Sequence, residues 1–348
     1  MKTILSYAVT IILLAASCKK DNKNNEDNTD PPANYMVETV FDNSEKLLSS
    51  VRGLCLEELN DEVINVLVID QEKNAIIKIP VNGAAGWPEV FAEIPPAAGG
   101  QAAEPWYITN AGAFYYVSTY NRGIIKLSRT GIISDFTGFA AKVGHHDGLA
   151  NEAHLSDPRG LCTGTGYVYA CEFGANCIGM ALNTSGTVAI FSGNPSTGPS
   201  TKDGRKSEAL FNHPTAICTN GNNRFFVAQE FVVRKIDGDK EEVTTLAGTY
   251  PGFQDGKGTA AAFDNITGIA VDKKDNVYVA DLQNCCIRRI SPDGTTITLA
   301  GKGDDCGNRD GDALDARFNF PFDIAIASNG DLYVSDMNNI TIRRIRKK

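Results

Sequence analysis

Residues 265 to 301 carry the pattern on which the rest of the chain is built: short apolar runs parted by clusters of Asp, Asn, Gly and Pro. Thr267 to Val271 is apolar, Asp272 to Asn276 is polar, and Val277 to Ala280 is apolar again. Asp281 to Asn284 forms a second turn signal, followed by Ile287 to Ile290, the turn Ser291-Pro292-Asp293-Gly294, and the run Thr296 to Ala300. Turn residues supply the special backbone angles and β-branched residues fill a pleat, so the segment predicts a four-stranded antiparallel meander. One such sheet cannot bury both of its faces alone and needs copies of itself.

The copies are present. Tyr278-Val279-Ala280-Asp281 recurs as Tyr333-Val334-Ser335-Asp336, Tyr169-Ala170-Cys171-Glu172, Phe226-Val227-Ala228-Gln229, Tyr116-Val117-Ser118-Thr119 and Leu67-Val68-Ile69-Asp70, which makes six units. Their period, in the low fifties, suits a four-stranded propeller blade with one longer loop. A second signature returns between units: Phe191-Ser192-Gly193, Leu246-Ala247-Gly248 and Leu299-Ala300-Gly301, then Asp203-Gly204, Asp255-Gly256 and Asp310-Gly311. These motifs resemble the NHL-repeat family over about residues 36 to 348, most closely in the fifth and sixth units; Thr119 and Gln229 depart from the family's Asp. The resemblance implies an all-β fold, a six-bladed β-propeller of four-stranded antiparallel blades.

Closure is testable in the sequence. The last unit ends at Ile340 to Ile345 and a basic tail, one strand short, while Val37 to Phe41 precedes the first unit as an unassigned strand. An N-terminal strand completing the last blade leaves no open edge.

The start of the chain has a different composition. Met1-Lys2 and a short apolar run end in Ala15-Ala16-Ser17-Cys18. That run is too short to span a bilayer and has the layout of a secretory signal over residues 1–17; the small residues before Cys18 resemble a bacterial lipobox, implying lipidation of Cys18. Residues 18–35 are polar, end near Pro31-Pro32, and read as a disordered tether to the propeller of residues 36–348. The tract resembles those of Bacteroidetes surface lipoproteins, so the expected location is the bacterial outer membrane, on its periplasmic or cell-surface face. Contact with the membrane is expected through the lipid anchor only.

Charge and cysteines narrow the function. A net charge of −9 argues against nucleic acid as a partner. The C-terminal Arg343, Arg344, Arg346, Lys347 and Lys348 cluster reads as a solvated strand end. Cys55, Cys162 and Cys218 share one inner-strand position, held by Ala270 and Ala325 in later units, and read as core packing. Cys285 and Cys306 sit in loops that a meander brings to one face, so a disulfide between them is plausible in an exported protein; Cys171 and Cys177 are a weaker pair. No Cys/His motif has metal-ligand spacing, and Asp304 to Asp312 lacks the alternation of a calcium loop, so neither metal nor cofactor is expected. His145 and His146 read as solvated loop residues, and Asp147 as a turn former beside Gly148.

Chemistry should lie where the units differ. Aligned inner strands place Arg52, Trp106, Arg159, Thr215, Thr267 and Phe322 at one level, with Gly53, Tyr107, Gly160, Ala216, Gly268 and Asp323 at the next. Trp106 and Tyr107, flanked by Arg52 and Arg159, suit stacking on a sugar ring and bonding to a carboxylate or hydroxyl; Tyr120, Arg122, His145 and His146 extend the same loop face. The expected function is a monomeric, non-enzymatic binding module for a glycan, peptide or envelope protein. The alternative is a metal-dependent propeller hydrolase or lyase of the lactonase or amidating-lyase type.

Overall fold

The computed structural model describes residues 30–138 and 144–348; the leader, Cys18 and the tether up to residue 29 lie outside them. Residues 31–348 form one unit. Blade 5 shows how a unit is made: Ile266–Val271, Val277–Asp281, Cys286–Ile290 and Thr295–Gly301 pair in succession, all antiparallel. Its first hairpin turns because Asp272 Oδ1 accepts from the amides of Lys274 at 2.8 Å and Asn276 at 2.9 Å, while Asp275 takes a left-handed φ of 65°. At the last turn Gly294 has φ 85°, and a Cβ there would lie 2.7 Å from the carbonyl oxygen of Leu246 in blade 4. Only glycine satisfies both the angle and the approach.

Six such sheets stand in a ring. Their inner strands are Leu54–Leu59, Pro105–Ala111, Pro158–Gly164, Pro214–Thr219, Ile266–Val271 and Pro321–Ile326, in blades 1 to 6. Each packs on the next, and the first packs on the last. The ring is tightest where the aligned strands alternate small and larger residues. A Cβ on Gly53, Gly160 or Gly268 would come within 2.6, 2.4 and 2.6 Å of the Cα of Tyr107, Ala216 and Asp323 in the following blade. Blades 1, 3 and 5 therefore give up their side chain at this level to the backbone of blades 2, 4 and 6.

The N-terminal strand Tyr35–Phe41 pairs with Thr341–Lys347, Val37 opposite Ile345, and supplies the fourth strand of blade 6. Val37 is fully buried in the core between blades 5 and 6, with Leu299, Phe318 and Ile324. Blades 4 to 6 carry a fifth, two-residue strand beyond the expected four: Gly204–Arg205, Gly256–Lys257 and Gly311–Asp312. These contain the glycines of the recurring Asp-Gly pairs, which run along the outer strand instead of merely turning.

The aspartates of those pairs belong to a buried polar lock. In blade 5, Arg288 donates from Nη1 to Asp281 at 2.8 Å and from Nη2 to Asp255 at 2.7 Å, and lies over Phe263. Asp255 also accepts from Thr298 Oγ1 on the outer strand at 3.1 Å. Blade 6 repeats this with Arg343, Asp336 and Asp310, and here the clipped residue is Thr39 of the N-terminal strand. Blade 4 uses Arg234, Asp203 and, in place of an acid, Gln229. The C-terminal arginines are thus not a solvated end: Arg343 is fully buried, and Arg344 is tied to Glu38 and Asn82.

Cys285 and Cys306 are joined as a disulfide, their Cα atoms 5.3 Å apart. Cys171 and Cys177 remain free thiols, as do Cys55, Cys162 and Cys218; Cys218 is only partly covered, the other four buried.

Candidate functional site

The entry ends of the inner strands converge on one stack. The Arg52 guanidinium lies 4.8 Å from the Trp106 ring centroid and 4.9 Å from that of Phe322. Arg159 lies 4.8 Å from Trp106 on its own account and 3.4 Å from Phe173. Trp106 and Phe322 are stacked, 18° from parallel. Guanidinium over a ring face is favourable for both partners, so the cluster is organised without any ligand.

Its polar atoms are less well provided. Arg159 is engaged by Asp157 at 3.1 Å. Among the described residues no carboxylate comes within ion-pair distance of Arg52, and Arg52 Nε, Trp106 Nε1 and Thr267 Oγ1 are buried with no hydrogen-bond partner. Burial pulls Arg52 below the ordinary guanidinium range; Tyr107 opposes this, and the charge of Arg159 adds to it. A desolvated, unpaired cation beside an indole N–H is the arrangement that an incoming carboxylate or hydroxyl would relieve.

Directly beneath, Tyr107 crosses the ring. Its hydroxyl donates to the carbonyl oxygen of Thr267 in the opposite blade at 2.6 Å, and its ring packs with Leu282 and Phe322. Tyr107 is 5% exposed. It is the plug of the channel, not a ligand-facing aromatic, because a ring of this diameter lets one side chain reach the far wall.

Below the plug the channel holds a cavity of about 320 Å³ lined by Cys55, Cys162, Cys218, Ala270, Ala325 and Asp323. Burial raises the thiols of Cys55, Cys162 and Cys218, which keeps them protonated and poorly nucleophilic. Asp323 accepts from the amides of Leu54 and Ile324, each at 2.9 Å, so it also stitches the seam between blades 6 and 1. Burial, against those two bonds, pushes it up to about 7. In the aligned strands Asp323 stands at this level with no role of its own, and the signal for one is an acid in a column otherwise of Gly, Ala and Tyr.

The other sequence candidates do not join the stack. Arg122 is held within blade 2 by Asp135 and by the carbonyl oxygen of Pro95. Tyr120, on the turn of the same blade, is exposed. His146 is exposed and meets the ring of His154 edge-on at 5.7 Å. His145 departs most from expectation: its side chain is 2% exposed, with Nδ1 2.6 Å from Glu172 and Nε2 2.7 Å from Asp147. Burial alone would lower it, but the bonds and charges of Glu172 and then Asp147 outweigh burial and raise it to about 9.

Comparison with known proteins gives this geometry a lineage. The family model described as the Teneurin NHL domain matches residues 130–346. The chain belongs to the teneurin NHL domain family. Within that family it is 27% identical over 281 residues to Teneurin-4 of Mus musculus, a match covering 68% of this chain and 10% of that protein. The NHL domain described here thus spans about a tenth of the length of that relative. An auxiliary nutrient binding protein from Bacteroides ovatus superposes with a TM-score of 0.64 at 15% identity, covering 91% of this chain and 77% of the other. A virginiamycin B lyase from Staphylococcus aureus superposes with a TM-score of 0.58 at 12% identity, covering 90% and 100%. At those identities the shared feature is the propeller itself.

Proposed function

We propose that this NHL propeller is a non-enzymatic binding module that takes an acidic group of a glycan, peptide or envelope protein on its loop face, at Arg52, Trp106 and Arg159. The observation that carries the reading is Arg52: a partly buried guanidinium, packed on Trp106 and Phe322, with an orphaned Nε and, among the described residues, no carboxylate within ion-pair distance. A carboxylate seated there gains charge-assisted hydrogen bonds in a site already organised by stacking, while the indole face is left for a sugar or aliphatic surface. The nutrient-binding neighbour is consistent with a binding role. The lyase neighbour supports the enzymatic alternative only at the level of fold.

The same proposal includes export and lipid anchoring at Cys18, supported by the Ala15-Ala16-Ser17-Cys18 sequence and by the Cys285–Cys306 bond, which persists in oxidising compartments. The test is a screen of the purified chain against matched neutral and uronic-acid glycans and acidic peptides. Arg52→Ala and Trp106→Ala are each expected to weaken the best acidic ligand by about tenfold or more, as loss of a hydrogen bond to a charged group costs about 1.5–3 kcal/mol. Binding by both variants equal to the parent's would refute the site.

A further inference from the structure

Blade 3 breaks the polar lock that blades 4 to 6 repeat. Strand register aligns Glu172 with Gln229, Asp281 and Asp336, and places Gly179 where those blades have Arg234, Arg288 and Arg343. A Cβ on Gly179 would lie 2.4 Å from Glu172 Oε1, so the longer acid occupies the space from which the arginine would grow. Asp147 stands in the Asp-Gly position, yet no guanidinium joins it to Glu172. Between the two carboxylates sits His145 instead, and facing Glu172 across the hairpin is Cys177.

We propose that His145, Glu172 and Cys177 bind a divalent transition-metal ion of the zinc class, with Asp147 orienting the histidine from behind. The donor atoms of these three side chains all lie within 4.8 Å of one another. Tetrahedral zinc with bonds of about 2.0–2.3 Å holds its ligands about 3.5 Å apart, so small side-chain rotations close the set. Glu172 and Cys177 are fully buried and His145 nearly so, which spares an ion competition from water. One thiolate, one imidazole and one carboxylate select zinc or cobalt over calcium or magnesium.

The surroundings fit a ligating histidine. Its Nε2 faces Asp147 Oδ1 at 2.7 Å, the outer contact that fixes the tautomer and leaves Nδ1 for the ion. Glu172 Oε2 is held by the amide of Ser156 at 3.0 Å, leaving Oε1 turned to the site. Three protein ligands leave one position for water. Binding releases the Cys177 thiol proton and any proton on His145, so the ion replaces, as the local cation, the guanidinium this blade lacks. The site is separate from the channel mouth and does not depend on the reading given to Arg52.

Cobalt is the probe. The full chain, stripped with a chelator and kept free of reductant, is titrated with Co²⁺ and followed by absorption. The expected result is a thiolate-to-cobalt charge-transfer band with tetrahedral d–d bands, saturating at one equivalent and erased by Zn²⁺. Cys177→Ser should remove the charge-transfer band. Asp147→Asn should weaken binding by about 10–100-fold, the usual effect of losing an outer partner. Cys286→Ser, at the matching position of blade 5, whose strands carry no histidine, should leave the spectrum unchanged and serves as the folding and thiol control. No charge-transfer band in the parent, or a band that survives Cys177→Ser, would overturn the proposal and leave His145 as a protonated stand-in for arginine.

Discussion

Replacing Arg288 by Met is expected to cost more stability than the same change at Arg234, and most of the difference is assigned to one buried charge. Both guanidiniums are fully buried, both lie over a phenylalanine, at 5.1 Å for Phe263 and 5.3 Å for Phe211, and each holds one half-exposed aspartate. Each also donates to two backbone carbonyls, those of Ala262 and Gln254 or of Leu210 and Lys202. Methionine keeps most of the apolar stem, so packing loss is common to both, as is the cost of buried carbonyls left without donors, about 1–3 kcal/mol. What differs is the remaining partner, the Gln229 amide in blade 4 and the fully buried Asp281 carboxylate in blade 5, together with a second ring, Phe253, 5.0 Å from Arg288. Breaking a buried ion pair costs about 3–5 kcal/mol because the surviving charge is stranded.

Asp281 retains the Asp264 amide and the Asn284 side chain, and burial, against the pull of Arg288, already holds it at about 6. Without Arg288 it rises further and can take up a proton near neutral pH, which limits the penalty. The expected gap between the two variants is therefore about 2 kcal/mol. It is read from urea midpoints at pH 7.5 with m-values compared, and Asp281→Asn added to Arg288→Met should recover most of it. The single variant should also gain stability as pH falls through the raised Asp281 value, because the folded state then binds the proton more tightly than the unfolded chain. Equal losses at the two positions, or no recovery in the double variant, would sink the reasoning.

Three further outcomes follow from the fold. Val37→Asp places an unpaired charge in the core between blades 5 and 6 and should cost at least about 3 kcal/mol, with light scattering reporting association through the loosened edge of blade 6; unchanged melting would argue against closure by the N-terminal strand. Cys306→Ala, which opens a 21-residue loop, should lower stability by about 3 kcal/mol in non-reducing buffer and by nothing further when reductant is added. Asp323, raised from 3.8 to about 7, makes the folded state the better proton binder between those values, so its contribution is full near pH 4 and declines by about 4 kcal/mol as pH rises through 7. That component should vanish from the pH profile of Asp323→Asn, and an identical slope in the variant would refute it.

The propeller was legible because each blade is specified locally. Runs such as Val277 to Ala280 and turns such as Ser291 to Gly294 fix strand and hairpin within one unit, and a last unit one strand short points to the spare Val37 to Phe41. The polar lock was not legible, since an arginine in a strand reads as facing water unless its partners are known. Arg288 meets Asp281 seven residues away and Asp255 thirty-three away, through a fold that must close first. A signal existed in the columns: the arginine and the Asp-Gly pair occur together in units 4 to 6, and unit 3 keeps Asp147-Gly148 but has Gly179. Reading that gap would have drawn His145 out of the solvated loop. Tyr107 was assigned to the correct level but to the wrong role, because whether a side chain faces a ligand or spans a ring depends on the distance to the far wall.

Divergence among the blades is not evenly spread, and its distribution bears on what can be inherited from relatives. The position of the buried arginine is Ile77 in blade 1, Ile125 in blade 2 and Gly179 in blade 3, so the lock is confined to one half of the ring. The other half, blades 1 to 3, supplies Arg52, Trp106 and Arg159 to the channel mouth. The family match begins at residue 130, so Arg52 and Trp106 lie outside the segment that carries the family's pattern, while Arg159 and Phe322 lie within it. The family match covers blades 3 to 6 and so includes the locked half. Arg52 and Trp106, the two side chains on which the proposed site rests, precede that segment. If the proposed site holds the ligand, affinity should therefore be lost first when Arg52 or Trp106 is removed, and substitutions confined to the locked half should leave it unchanged.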